Sequence, residues 1–411
     1  MRKVLIVGAG QSGLQLALTL QAEQYEVTLV SARTPEEIRG GRVMSTQSMY
    51  YRALDIERRH GLSLWDEQAP RITGLRVSVA DPEGNRPIDW QAPLKDYALA
   101  IDQRVKMAAW LELFVERGGK VEYRELTVSE LDDLAFDHDL VVVAAGKGEL
   151  GRLFERDDDR SPYAQPQRAL SVAYVHGART GGPDADAARF NALAGRGEII
   201  SYPGYTRSGG CEILLLEGVP GGPLDAFGDR PDPRTQWERM LGVLREHAPW
   251  EHDRFADAEL TDEGGTLAGE LTPAVSRPVG QLPSGRLVLG MGDAVVVNDP
   301  VTGQGANAAC HAAQTCLESI LAHGGGVFDW DWMQRTFDRY WEFARHVSMW
   351  TNAALQPPPP HVLEIFGAGM RFPAVGERFA DGFANPEDLT TWFLDEQAAQ
   401  AYIAECAEAA E

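Results

Sequence analysis

Glycines at 8, 10 and 13 in "VLIVGAGQSGLQLAL" stand between an apolar run and a helical stripe. GxGxxG in that setting serves the pyrophosphate of a dinucleotide. Gly8 turns the chain, Gly10 lets backbone approach the phosphates, and Gly13 lets helix and strand pack closely. The helix start, with Ser12 in its first turn, offers free N–H groups and a partial positive charge. This spacing does not separate NAD from FAD. The next strand, "EVTLVSA", ends in Ser31, about 20 residues on, where an acidic residue usually grips the adenosine ribose. A hydroxyl bonds more weakly than a carboxylate. A looser hold is expected, suited to a cofactor that comes and goes.

A second glycine-rich stretch, "GMGDAVVVNDPVTGQGAN", occupies 290–307. It lacks the GxGxxG spacing, and "GAGM" at 367–370 lacks both a third glycine and a preceding strand. With no second dinucleotide unit, the late stretch is expected to serve the far end of the first ligand.

Composition narrows the classes. The chain has 411 residues, a formal net charge of −23, 44 % hydrophobic and 24 % charged residues. That length predicts two domains. The acidic field argues against nucleic acid and anionic membranes as partners. No run approaches the ~18 uninterrupted apolar residues of a membrane span. Arg2 and Lys3 lead straight into a strand, so neither a secretory leader nor export is expected, and the protein is read as cytoplasmic. Cys211, Cys310, Cys316 and Cys406 have no metal spacing and are read as free, buried thiols. His247 and His252, five apart, make a poor metal pair, and no metal is expected.

Several elements must position these motifs. A β-turn-α-β unit fills the first thirty residues, a helix lies around 49–59, and "GLRVSVADPEG" reads as a hairpin strand. Residues 102–117 read as a helix closed by Gly118 and Gly119, and "HDLVVVAAGKG" as a buried strand. Three strands are expected between 168 and 219. After "RLVLGMGD" a helix runs to the glycines at 324–326, and a long tryptophan-bearing helix ends at the prolines 357–360. Its tryptophans are read as core.

These motifs carry a resemblance. The late stretch resembles the second flavin-binding motif of the FAD-dependent aromatic hydroxylases, and "DLVVVAAGKG", with Gly146, resembles their middle motif. Arg104 in "IDQRVKMAAWL" matches that family's pyrophosphate-contacting arginine. The resemblance implies an α/β fold: a Rossmann-like FAD-binding domain of the aromatic hydroxylase type with an inserted mixed β-sheet substrate domain and C-terminal helices. The FAD domain would take 1–70, 100–165 and 280–325, the substrate domain 71–99 and 166–279, and the helical region 326–411. One FAD would be held by Gly8, Gly10, Ser12, Gly13, Ser31, Arg33, Arg42, Arg104 and Gly146, then by Asp293 along the ribityl chain. Pro300, Gly303, Gln304, Gly305, Ala306 and Asn307 would follow at the ring, the helix start favouring the negative charge of a reduced flavin.

Over nearly the whole chain the resemblance is closer to the two-component styrene and indole monooxygenases, through "SPYAQPQRALSV", "RSGGCEILLLEG", "DPVTGQGANAA", "WTNAAL" and "FANPED". That family implies reduced FAD supplied in trans by a separate NADH-dependent flavin reductase, O2 as co-substrate, and a small aromatic substrate; it leaves room for a homodimer. The expected chemistry is a C4a-hydroperoxyflavin whose distal oxygen epoxidises indole, leading to indoxyl and indigo, or a styrene-like alkene, with sulfoxidation beside it. Styrene monooxygenases carry Asn, Val and His after the double glycine. "RVMSTQSM" instead reads Ser45, Gln47 and Met49, as in the indole group, with Ile72, Leu75 and Ala98 as further substrate positions. Met49 suits a planar aromatic and Gln47 could orient an indole N–H. Ser45 and Gln47 are the first candidates for positioning at the ring, with Asn298 and Thr302 behind them, and Pro300 beside the substrate. Two rivals stay open: a self-sufficient NAD(P)H-dependent FAD hydroxylase, and a non-catalytic FAD-fold binding protein.

Overall fold

A computed structural model describes residues 2–146, 148–181 and 185–410; Lys147 of the middle motif lies outside the described residues. Two large sheets organise the chain. The first has six strands, in the order Val279–Gln281, Leu287–Gly290, Leu140–Val143, Lys3–Val7, Glu26–Ser31 and Lys120–Tyr123. All neighbours are parallel except the pair formed by Val279–Gln281 and Leu287–Gly290. Its central strands are continuous apolar runs because helices cover a parallel sheet on both faces. Val4, Leu5, Ile6 and Val142 are wholly buried.

The second sheet has eight strands and is mostly antiparallel. It draws on Ile72–Ala80 and Ile88–Ala98, which form the expected hairpin, and on Ala169–His176, Gly197–Thr206 and Gly209–Gly218, close to the three expected strands. A fourth, Ala187–Leu193, was not expected; it pairs parallel with Ile72–Ala80. Its pattern is inverted: Arg189 and Asn191 are buried beneath helix Pro249–Phe255, where Asn191 accepts from Trp250 Nε1 at 2.8 Å. Polar residues on a buried face hide a strand from any search for alternating apolar side chains.

Both faces of this sheet are covered. Helix Pro233–His247 buries Trp237, Met240 and Leu244 against one, with Val175, Leu214 and Leu216. The other meets the C-terminal helices, where Ile72, Leu75, Ala98, Tyr174 and Tyr202 share a core with Trp350, Phe366 and Phe379. Trp90 docks the C-terminal region. Its Nε1 donates to Phe366 O at 2.9 Å, and its ring leaves no room for a side chain at Gly369. "GAGM" is thus the end of helix Pro360–Gly369, a packing feature and not a nucleotide turn.

The remaining helices match the reading: Tyr51–Arg59, Gln103–Glu116, Gly305–His323 and the 25-residue Trp330–Ala354. Trp332 and Trp350 are buried as expected, whereas Trp330 is exposed. Cys310 and Cys316 are buried free thiols, but Cys211 and Cys406 are only partly buried. No helix among the described residues is long and apolar enough to cross a membrane. Replacing Trp90 by Ala should cost about 3–5 kcal/mol and expose the C-terminal helices to limited proteolysis, checked by urea unfolding and by the cleavage pattern.

Candidate active site

The three motifs lock together through glycines. A Cβ on Gly8 would lie 2.9 Å from the backbone of Ala144, one on Gly146 2.4 Å from Asp293 O, and one on Gly292 2.5 Å from Ser12 Oγ. So the first motif touches the middle one, the middle touches the late one, and the late one returns to the first. Gly13 seals the turn; its Cβ would sit 2.0 Å from Gly8 O.

Two glycines behave differently. A Cβ on Gly10 or on Gly305 would meet nothing within 4 Å. Gly10 precedes helix Gln11–Ala22 and Gly305 opens helix Gly305–His323, and neither helix start is capped by a side chain. The helices lie side by side, joined by Gln15 Nε2 donating to Cys310 O at 3.1 Å. Two free, partly positive helix ends with open space before them fit an extended dianionic nucleotide. Asp293 is exposed on a 3-10 turn, Gly292–Ala294, just past strand Leu287–Gly290.

The segment at 45–50 runs between these helices. Met49 bridges Leu99, with paired hydrogen bonds of 2.8 and 3.0 Å. Gln11, Gln47, Met49, Lys106 and Ala306 line one narrow cleft, so both helix starts and two expected substrate positions meet there. Ser45 Oγ donates to Gln47 Oε1 at 2.8 Å, Gln47 Nε2 donates to the Tyr174 hydroxyl at 3.0 Å, and that hydroxyl donates to Ser45 O at 2.9 Å. Burial raises the Tyr174 hydroxyl far above its ordinary value, so it stays a neutral donor. Gln47 Oε1 keeps one lone pair for a guest N–H.

In the wall of the cleft, Lys106 forms an ion pair with Glu57, which also accepts from Gln11 Nε2 at 2.8 Å; Lys106 Nζ lies 2.9 Å from Met49 Sδ. Burial raises the Glu57 carboxyl, and Lys106 opposes the shift. Sequence reasoning missed this pair. A lysine four residues before Trp110 on an apolar helix was its only signal.

Ile72, Leu75 and Ala98 lie in the core between the second sheet and the C-terminal helices, not on the Gln47 cleft; Ile72 and Ala98 are cross-strand partners. Pro300 begins the 3-10 turn Pro300–Thr302, capped by Asp299 through Val301 N at 3.1 Å. Gly303 takes φ 64°, against Ser48 Oγ and the Tyr50 hydroxyl.

Several expected cofactor or ring contacts are spent on protein instead. Asn307 donates to Ser48 O and Gly303 O, at 2.9 and 3.0 Å, and accepts from Tyr50 N at 2.9 Å, stitching the 45–50 segment to the late helix. Gln304 Nε2 donates to Phe383 O at 2.8 Å. Thr302 shares a 2.6 Å hydrogen bond with Thr351, and Asn298 accepts from Ser348 at 3.2 Å. "DPVTGQGAN", "WTNAAL" and "FANPED" thus converge on one turn.

Arg104, expected at the phosphates, is engaged within the protein in this structure. Its guanidinium is completely buried, and its N–H groups go to Asp102, Gly41 O, Thr206 and both oxygens of Asp262. Although burial works against ionisation, Arg104 and Arg207 hold the Asp262 carboxyl at about 2. Arg104 ties helix Gln103–Glu116 to the second sheet. The Ser31 hydroxyl donates to Arg33 O at 2.6 Å within its own turn. Arg33 and Arg42 are both exposed, Arg33 leaning on Met44 Sδ at 3.0 Å.

The architecture is that of the FAD-dependent aromatic hydroxylases and halogenases. A flavoprotein/dehydrogenase from Cytophaga hutchinsonii superimposes with a TM-score of 0.67 at 12 % identity, covering 100 % of both chains. The p-nitrophenol 4-monooxygenase PnpA from Pseudomonas putida DLL-E4 gives 0.64 at 13 %, covering 94 % of this chain and 99 % of its own. Residues 146–254 match the family model described as the styrene monooxygenase A putative substrate binding domain. The styrene monooxygenase StyA of Pseudomonas fluorescens is 31 % identical over 397 residues, 94 % of each chain. The chain belongs to the styrene monooxygenase family of flavin-dependent monooxygenases.

The two kinds of glycine should separate by mutation. Gly13→Ala should cost about 3 kcal/mol or more by overpacking. Gly10→Ala should cost only about 1 kcal/mol yet weaken FAD binding roughly tenfold or more, because its methyl fills the space before the helix. Urea unfolding and flavin fluorescence titration read the two effects apart.

Proposed function

We propose that this chain is the oxygenase component of a two-component flavin monooxygenase. It takes reduced FAD from a separate NADH-dependent reductase and inserts one atom of O2 into the electron-rich C=C bond of indole or a styrene-like alkene. The observation that carries this reading is the meeting of two uncapped, open helix starts with Gln47 and Met49 at one cleft.

When bound there, reduced FAD with O2 supplies an electrophilic oxygen. The residues of the chain bind, orient and exclude water. Amides at the first helix start would face its phosphates, and those at Gly305 would favour an electron-rich ring. Gln47 Oε1 accepts an indole N–H while Ser45 and Tyr174 fix its amide, and Met49 packs against the aromatic plane. Tyr50, Trp350 and Phe383, with ring centroids 5.5 and 4.7 Å apart around Phe383, pack against the turn at Gly303 and Gln304. One oxygen atom enters the alkene; the other leaves as water with two electrons and two protons.

The Ser45, Gln47, Met49 triplet favours indole, which has a polar N–H where styrene has none. The name of the StyA relative favours a styrene-like alkene. With indole, FAD, NADH, air and any flavin reductase, blue pigment that depends on this chain is expected. Reduced flavin decaying equally fast with and without the protein would overturn the reading. NADH oxidation without added reductase would favour a self-sufficient hydroxylase. Gln47→Leu should lower the indole-to-styrene ratio of kcat/KM by about five- to tenfold, the worth of one hydrogen bond, measured by competition between the two substrates.

A further inference from the structure

The turn that leads into the late helix has an acidic neighbour that the chemistry above does not use. Asp299 and Glu217 are both wholly buried. Asp299 Oδ1 caps Val301 N, whereas Asp299 Oδ2 and both Glu217 oxygens have no donor among the described residues. The two carboxyl groups lie within hydrogen-bond reach of each other. Glu217 also faces Glu198 directly across the strands, and Glu198 is held by Arg168 through hydrogen bonds of 2.7 and 2.9 Å. Arg168 therefore neutralises one carboxylate, and two more share the same dry space. Two desolvated carboxylates in contact cannot both be charged, but one proton between them makes a strong hydrogen bond.

We propose that Glu217 is a positioning residue: it carries a proton at neutral pH, donates it to Asp299, and so fixes the turn bearing Pro300, Thr302 and the start of the flavin-facing helix. That the turn seats a flavin rests on the function proposed above; the shared proton does not.

The proton belongs on Glu217. Burial, then the charges of Asp299 and Glu198, raise its carboxyl well above the usual range. Burial raises Asp299 as well, but the Glu217 hydrogen bond, the Val301 N–H and Arg168 pull it back. Tyr202, the other titratable group facing Glu217, is kept neutral mainly by burial. A carboxyl whose value is raised on folding stabilises fully below its unfolded value, and that stability is lost as pH rises through the folded value. Glu217→Gln keeps a donor at every pH.

The test begins on the protein without flavin. Wild-type minus Glu217→Gln difference infrared spectra at neutral pH should show the carbonyl stretch of a protonated carboxylic acid. Asp299→Asn should shift the same band, because the acceptor of the Glu217 proton changes from a carboxylate to an amide carbonyl. Between the usual carboxylate range and the raised Glu217 value, the wild-type folding constant should fall relative to that of Glu217→Gln by up to about tenfold per pH unit. Reduced FAD should bind wild type more weakly as Glu217 ionises, while Glu217→Gln holds its affinity. No band, or identical pH slopes in both proteins, would overturn the proposal. A band and divergent slopes in a chain that binds no FAD would uphold the dyad and sink the flavin reading alone.

Discussion

Two helices begin without a side chain to satisfy their first N–H groups, and a residue near each start lines the same cleft. Unpaired amides at a helix start demand an acceptor, and their aligned dipoles prefer an anionic one. In this chain that demand arises twice, at helices whose starting glycines lie 295 residues apart (Gly10 and Gly305) and which are held together by Gln15 and Cys310. Most of the polar machinery near the cleft keeps those two ends in place.

That maintenance explains why so many motif residues turn away from any ligand. Asn307, Gln304 and Thr302 bind backbone or hydroxyl groups of the 45–50 segment, the C-terminal region and helix Trp330–Ala354. Arg104 clamps Asp262 to Asp102, and Glu217 sits behind the turn at Asp299. A site that faces an electron-rich cofactor through backbone amides gains precision when the side chains around it are locked to one another. Motif membership marks a place in the structure, and the side chain at that place can serve the scaffold.

The second sheet contributes the apolar wall. Its inner face is shared with the C-terminal helices, so Ile72, Leu75 and Ala98 lie in a packed core beside Trp350 and Phe379. The expected substrate positions therefore divide. Gln47 and Met49 border the cleft, and the other three belong to the packed core between the second sheet and the C-terminal helices.

The linear sequence was sufficient for what depends on local order. The buried strand before Gly8, the helix ended at Gly118, the hairpin at 72–98 and the long helix stopped by prolines all follow from hydrophobic period and from backbone freedom at glycine and proline, properties of a few neighbouring residues. Strand Ala187–Leu193 escaped that reading because Arg189 and Asn191 are buried by a helix some 60 residues away. The Glu57–Lys106 pair, the Asp299–Glu217 contact and the five acceptors of Arg104 escaped for the same reason. Burial and pairing of charges depend on which distant surfaces meet, and a carboxylate bound for the core is written with the same letter as one bound for water.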